Sequence, residues 1–517
     1  MRAKTENTKH QAKNSCRVVQ ELFQMKKELG KKVAAGAAWM VGMKLLVQSL
    51  GLISTLILAR LLVPEDFGLI AIAMIFFAVL EVMTSFSFDL ALIQNQEAKR
   101  HHYDTAWTLT IIQGGVTAIA LCLLASPAAD FFNDPRLINI IYVMAFIAFV
   151  QSFENIGIVA FRKELEMRKE FIFLVAKKLA AFTVTIGLAI ILKNYWALVL
   201  GTLASRVTGL LLSYWMHPYR PRPSLKAARE LITYTKWLLL NNVLLVLIKN
   251  SDDAIVGKVL GPAGLGFYTI AYEISNLPTT ELVYPITRAV FPGYAKIAAD
   301  MKQLRKGFLD VTSLVLLLTI PIAAGIAVTA DLFIPIVLGQ KWQQAAELTQ
   351  ILALFGITRV LGAGTGSVYL AIGKPKVIAY LACFRLVIGI PLIYFATVSA
   401  GAAGAAWAVF AIGLILVPIN YSILLKLLAL PLNDLFSAIW RPVLAGIIMS
   451  GIIIWYRTFW LTGDIWWQVG ELASSVLIGA IVYIAAVLAL WRYSGYPASS
   501  ERLVLETLKS RIKKQTK

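Results

Sequence analysis

Residues 58–73 read Leu-Ala-Arg-Leu-Leu-Val-Pro-Glu-Asp-Phe-Gly-Leu-Ile-Ala-Ile-Ala, and 198 positions later residues 256–271 read Val-Gly-Lys-Val-Leu-Gly-Pro-Ala-Gly-Leu-Gly-Phe-Tyr-Thr-Ile-Ala. In that register Leu62/Leu260, Pro64/Pro262, Gly68/Gly266, Ile72/Ile270 and Ala73/Ala271 coincide, with Arg60 over Lys258. Each copy is an apolar run interrupted by a proline, which is disfavoured inside a helix but starts one well. The pattern predicts a tight turn between the first two helices of a repeated unit. A second match, at an offset of 211, lays Trp196-Ala197 over Trp407-Ala408, at the start of the sixth helix of each unit. An even number of helices per copy makes both copies point the same way, a parallel repeat of six plus six with a substrate path between the halves.

Outward from these turns, the 517 residues are 58% hydrophobic and 15% charged, with a mean hydropathy of +0.72. An ordinary soluble protein is excluded. The apolar residues fall in runs long enough to cross about 30 Å of hydrocarbon, and the alternating strands of an outer-membrane barrel are absent from the pattern. The expected fold class is an all-α polytopic membrane protein with 14 transmembrane helices, two six-helix lobes in parallel repeat plus two C-terminal helices. The expected organisation is a cytoplasmic basic tail (1–33), an N-terminal lobe (34–216), a cytoplasmic linker (217–236), a C-terminal lobe (237–428), two accessory helices (429–491) and a cytoplasmic basic tail (492–517). Within the first lobe a single span is expected over 137–160, and residues 18–32 look amphipathic.

The 49 Lys+Arg against 29 Asp+Glu give +20, which in a soluble domain suggests nucleic acid. Here 35 of the 49 basic residues fall in the tails and even-numbered connections, so the charge marks topology, with both termini cytoplasmic and no nucleic-acid partner. Attraction to anionic membrane lipid is a secondary effect. Cys16, Cys122 and Cys383 form no disulfide framework, and the four histidines offer no ligand spacing; no metal, cofactor or catalytic residue is expected.

Charges inside the apolar runs carry the functional signal, because each costs roughly 2.5–3.5 kcal/mol at the bilayer centre and must face protein or water. They are Lys44, Lys177, Lys178, Arg206, Lys249, Arg288, Arg359 and Arg385, with Glu81, Asp89, Glu154, Asp252, Asp253, Glu273, Glu281 and Glu347. All lie in the first twelve helices, so the two lobes are expected to enclose a polar chamber. Lys44 and Asn242 align at the 198 offset. Gly362-Ala-Gly364-Thr-Gly366 lacks the Lys-Ser/Thr ending of a phosphate loop, and close helix packing is the expected reason for its glycines.

Leu58 to Gly68 resembles the LAR-LL-x-P-x-D-F-G signature of the polysaccharide transporters, Wzx-type lipid-linked oligosaccharide flippases within the multidrug/oligosaccharidyl-lipid/polysaccharide exporter superfamily. Asn250 to Gly261 is similar to that family's seventh-helix pattern, an Asp, apolar residues and then G-[RK]-x-L-G, and Tyr195 to Gly201 is similar to the opening of its sixth helix. The subgroup it most resembles is that of the lipopolysaccharide and colanic-acid-type translocators. The resemblance implies transport of an undecaprenyl-diphosphate-linked oligosaccharide across the bacterial cytoplasmic (inner) membrane, for exopolysaccharide or lipopolysaccharide biosynthesis and without bond chemistry. Implied partners are the lipid-linked oligosaccharide, membrane lipid, and polysaccharide polymerase and export proteins.

On that footing Lys44, Lys177, Lys178, Arg206, Asn242, Arg288, Arg359 and Arg385 are the candidate diphosphate or glycan contacts, weighed against internal salt bridges and snorkelling. Asp89, Asp252, Asp253, Glu273 and Glu281 are candidates for H⁺ or Na⁺ coupling, weighed against pairing with Lys249 or Arg288. Glu65 and Asp66 belong to the turn and helix start rather than to a binding site. The alternatives are a cation-coupled drug or small-metabolite exporter of the same fold, and a membrane glycan polymerase or ligase, which the short outer connections oppose.

Overall fold

Pro64 and Pro262 both stand at helix starts in the computed structural model, which describes residues 39–40, 42–84, 88–95, 97–460, 464–496, 500–502 and 506. The tail 1–33 with its amphipathic stretch and most of 492–517 lie outside the described residues. The described residues form helices and their connections, with no strand among them. In chain order the helices are α1 (Gly42–Leu61), then α2 (Pro64–Thr84), α3 (Phe88–Gln94), α4 (Arg100–Phe132), α5 (Arg136–Ser152), α6 (Val159–Lys163), α7 (Met167–Leu192) and α8 (Trp196–Met216). They continue with α9 (Ala228–Pro278), α10 (Tyr284–Ile297), α11 (Met301–Leu338), α12 (Gln343–Gly362), α13 (Thr365–Ala371), α14 (Pro375–Leu428), α15 (Leu432–Arg457) and α16 (Ile465–Tyr493). Among the described residues ten helices are long and apolar enough to span a membrane, or eleven if the bent pair α5–α6 counts as one.

Two of these stretches contain a break. Gly261 (φ 71°, ψ −175°) interrupts α9, and Ala400 and Gly401 (φ 62°) interrupt α14. The positive φ at Gly261 and Gly401 is why glycine stands there. At the corresponding turn of the first copy, the Val63 N–H donates to Asp66 Oδ2 at 3.1 Å, the backward half of a capping box. Asp66 is thus part of a helix start, as its place in the sequence suggests.

The single span expected over 137–160 is instead broken, α5 and α6 meeting at 66°. Asn155 is the cause. Its N–H donates to Ser213 Oγ at 2.9 Å, its side-chain oxygen accepts from the Gly157 N–H at 2.9 Å, and its Nδ2 donates to the Tyr219 carbonyl at 2.6 Å. With Asn155 fully buried, these bonds give its polar atoms partners that a continuous helix would not.

The chain folds into two compact units. The first comprises the described residues of Met1–Leu61, Phe77–Pro127 and Ile138–Val243; the second, those of Leu62–Phe76, Ala128–Leu137 and Leu244–Lys517. In the first, Gly201 of α8 lies where a Cβ would meet Thr185 Oγ1 of α7 at 1.7 Å. The proline-rich connection after α8 is strapped to α4: the Tyr219 hydroxyl donates to Asp104 Oδ1 at 2.7 Å, the Arg222 N–H to the same oxygen at 2.9 Å, and the Ser224 N–H to Thr108 Oγ1 at 2.9 Å. Burial holds the His217 imidazole in this strap below the usual histidine range.

In the second unit the two copies of the repeated turn lock together. A Cβ on Gly68 would fall 1.7 Å from the Pro262 carbonyl oxygen, and one on Gly266 would fall 1.8 Å from the Pro64 carbonyl oxygen. Trp342, fully buried, meets Phe67 edge-on at 5.3 Å and Phe267 at 5.9 Å, and Lys341 Nζ donates to the Leu62 carbonyl. Elsewhere Val315, Leu316 and Ile320 of α11 pack with Met449 and Ile453 of α15 and Tyr483 and Val487 of α16. Arg457 fastens the end of this group, bonding to Asp331 Oδ1 at 3.0 Å and Glu471 Oε1 at 2.9 Å.

Arg441 of α15 and Glu501 are both almost wholly buried and pair through Nε and Oε1 at 2.9 Å. Removing one partner leaves an uncompensated charge, so Glu501→Ala should cost about 3–5 kcal/mol. Arg441→Met combined with Glu501→Leu should restore most of the loss. Thermal unfolding of the purified proteins in one detergent checks this, a single and double variant of equal stability being the contrary result.

Candidate functional site

Each unit contains a cavity with charged side chains on its wall. In the first, about 300 Å³ is lined by Glu81, Asp89, Gln113, Gln151, Glu154 and Arg162, among others. The bend at Asn155 swings α6 so that Arg162 reaches Asp89 at 3.2 Å and Glu170 at 3.6 Å. Lys177 Nζ pairs with Glu154 Oε1 at 2.5 Å against Gly209, where a Cβ would stand 2.4 Å from Glu154 Oε1 and 2.7 Å from Lys177 Nζ. Of the cations predicted in this unit, Lys177 is therefore in a salt bridge. Lys178 packs against α1, its Nζ 3.5 Å from where a Cβ of Gly51 would be. Lys44, Arg206 and Asn242 are half-buried.

In the second unit a cavity of about 510 Å³ is lined by both Arg359 and Arg385, with Thr279, Tyr284, Thr287, Thr358, Asn420, Gly362, Gly364 and Gly366 among others. The local folding explains the wall. A single π-helical turn at Thr279–Val283 widens the helix and sets residues 279 and 283 on the cavity, a use common for such turns. Arg359 leaves the last turn of α12 and donates from Nη1 to the Tyr272 hydroxyl at 3.1 Å, its guanidinium 5.6 Å from the Tyr272 ring centre and 5.5 Å from that of Phe355. These rings hold the planar cation in place.

Arg385 forms no hydrogen bond or ion pair among the described residues; it also lines a small adjoining cavity with Asp252. The Tyr268 hydroxyl donates to Asp252 Oδ2 at 3.2 Å. No ion pair between Lys249 and Asp253 is seen among the described residues. Arg288 is exposed and makes no ion pair among the described residues, so the pairing weighed for it is not seen. Glu273 is exposed, and Glu281 Oε1 accepts from Thr280 Oγ1 at 3.2 Å.

The close-packing account of Gly362, Gly364 and Gly366 is overturned. An added Cβ at Gly362 or Gly364 would meet nothing within 4 Å, and at Gly366 only Ile378 Cδ1 at 3.9 Å; these glycines border open cavity. Arg162, Glu170, Tyr272 and Asn420 also escaped the sequence reading. Arg162 sits beside Lys163 just past an apolar run and reads as a cytoplasmic cation; the turn pattern Asn155-Ile-Gly157 was the signal that it folds back. Chemically, two guanidiniums on one cavity wall can replace water around phosphate oxygens through charge-assisted hydrogen bonds. Among the described residues no group of three or more His, Cys, Asp or Glu could hold a metal ion.

Residues 57–347 match the family model described as "Polysaccharide biosynthesis protein". Over 428 residues the chain is 28% identical to the lipopolysaccharide biosynthesis protein WzxC of Escherichia coli (strain K12), covering 80% of this chain and 85% of that one. It is 26% identical to the teichuronic acid biosynthesis protein TuaB of Bacillus subtilis (strain 168), covering 82% and 87%. Among solved structures, the lipid II flippase MurJ in an inward closed conformation superposes with a TM-score of 0.68 at 16% identity, over 88% of this chain and 99% of that one; this likeness is one of fold.

Proposed function

This chain belongs to the polysaccharide biosynthesis protein family, and from that premise we propose that it is a flippase carrying undecaprenyl-diphosphate-linked oligosaccharide units across the bacterial cytoplasmic membrane by alternating access. The observation that carries the reading is the convergence of Arg359 and Arg385, 26 residues apart in the sequence, on one cavity of about 510 Å³. A diphosphate cannot enter hydrocarbon unpaired; two arginines supply the counter-charge while the polyprenyl tail stays in lipid. The function asks for no bond to be made or broken, so the protein is a transporter and not an enzyme.

The expected count of 14 spans follows when the stretches broken at Gly261 and Gly401 each count as two crossings, the bent pair α5–α6 as one, and α2 is added. The lobes 34–216 and 237–428, the accessory pair within 429–491 and two cytoplasmic tails complete the layout we infer. The locked turns Pro64–Gly68 and Pro262–Gly266 are then the outer gate in its closed state. Asp252 and Asp253 are our coupling candidates in the second unit and Asp89 in the first, with Glu273 and Glu281 less favoured by their positions. A phosphate arriving at Arg385 competes with Asp252 for that cation, which favours uptake of H⁺ or Na⁺ by the acid. Polysaccharide polymerase and export proteins are the protein partners we would look for. The acid excess in the first cavity, Glu81, Asp89 and Glu154 against Arg162 on its wall, favours a second reading, a cation-coupled exporter of small cationic compounds.

Replacing Arg359 or Arg385 by Ala removes a charged hydrogen-bonding group worth about 1.5–3 kcal/mol. Each variant should insert normally and bind the lipid-linked substrate roughly 10- to 100-fold more weakly; normal binding and export by both would leave the exporter of cations as the better reading. Labels at Lys9 and Lys513 should both be reached from the cytoplasm, and opposite sides would mean an odd number of spans. Cysteines at positions 65 and 263 should cross-link while the gate is closed and stop transport, with reduction restoring it; transport unaffected by a completed cross-link would show that the gate does not open.

A further inference from the structure

Resting on the flippase reading, one feature of the second cavity goes further. Each glycine on this cavity wall invites a reason, Gly362 being the last residue of α12 and Gly366 standing in the first turn of α13. Gly413 has one, for its Cβ would strike Thr358 Oγ1 at 2.2 Å. Gly364 has another in its φ of +84°, which forms the break between α12 and α13. Gly362 and Gly366 have neither: their φ values are ordinary, a Cβ on the first would meet nothing within 4 Å, and one on the second only Ile378 Cδ1 at 3.9 Å. Both line the cavity that holds Arg359 and Arg385. The wall that carries them is fixed by hydrogen bonds, the Tyr369 hydroxyl donating to Asn420 Oδ1 at 2.8 Å, Asn420 Nδ2 to Thr365 Oγ1 at 2.9 Å, and Thr365 Oγ1 to the Gly362 carbonyl at 2.8 Å.

We infer that Gly362 and Gly366 are specificity-determining residues, whose missing side chains make room for the first sugar ring beside the phosphates held by Arg359 and Arg385. The occupant is a phosphate-linked pyranose. Its anionic end requires the two cations, and its uncharged, broad ring requires clearance on a wall that does not shift. A bare polyprenyl diphosphate needs the arginines but not the clearance.

The test uses the full-length protein in liposomes and two probes, undecaprenyl diphosphate and undecaprenyl diphosphate carrying one hexose, with binding measured for each. Gly362→Leu and Gly366→Leu should weaken binding of the hexose-bearing lipid about tenfold or more while leaving the sugar-free lipid within about twofold, and Gly362→Ala should shift it in the same direction by less. Equal loss for both lipids, or no loss for either, overturns the inference. If the leucine variants do not fold, Gly362→Ala, a better helix former, decides alone: unchanged relative affinity for the two lipids counts against the proposal. Failure of the underlying reading looks different, since wild-type protein would then bind neither lipid, and Arg359→Ala would change nothing.

Discussion

The missing side chains of Gly68 and Gly266 let two prolyl carbonyls come within methyl distance of the opposing helix, and the architecture of the second unit depends on that approach. Any Cβ at either position would overlap a backbone oxygen, which has no rotamer by which to move aside. Because the contact is reciprocal, each copy of the turn is both the intruder and the host. The rest of that region is arranged round it: Trp342 fills the space between Phe67 and Phe267, Phe132 meets Phe76 edge-on at 5.9 Å, and Lys258 Nζ donates to the Phe131 carbonyl. Residues 62–76 and 128–137 consequently belong with residue 244 onwards rather than with their sequence neighbours.

A second constraint is the cost of charge in an apolar surrounding, and the two units answer it differently. In the first, two cations on the cavity wall pair with acids, Lys177 with Glu154 and Arg162 with Asp89 and Glu170. In the second, Arg359 is steadied by aromatic rings and one phenol, which orient a guanidinium without neutralising it. Arg385 has no direct partner among the described residues. A guanidinium not bonded to a carboxylate keeps hydrogen-bond donors to spare, which is the physical difference between these two arginines and Arg162.

Periodicity and composition reveal what depends on local chain chemistry. The apolar runs, the helix starts at Pro64 and Pro262 and the repeated turns are all of this kind, and Arg359 and Arg385 stand out because charge in an apolar run is rare. Partner choice is not local. Lys177 and Arg359 look alike as single letters, and only the fold decides that one finds a carboxylate and the other a tyrosine. The bend at Asn155 escaped for a related reason: its cause lies partly in Ser213 and Tyr219, some 60 residues away in sequence. Gly362 and Gly366 were misread because a glycine that admits a neighbouring helix and a glycine that borders a void have the same sequence signature.

The buried pair of Arg441 and Glu501 has a consequence for how the protein is made. Glu501 is synthesised 60 residues after Arg441, so α15 must enter the membrane while its arginine still lacks this counter-charge. Until then the Arg441 guanidinium lacks the carboxylate that neutralises it once both are buried. Ser500, whose hydroxyl donates to the Asp310 carbonyl at 2.8 Å, seats the arriving segment beside α11. The pair therefore forms only after α16, which lies between its two members in the sequence, has been translated.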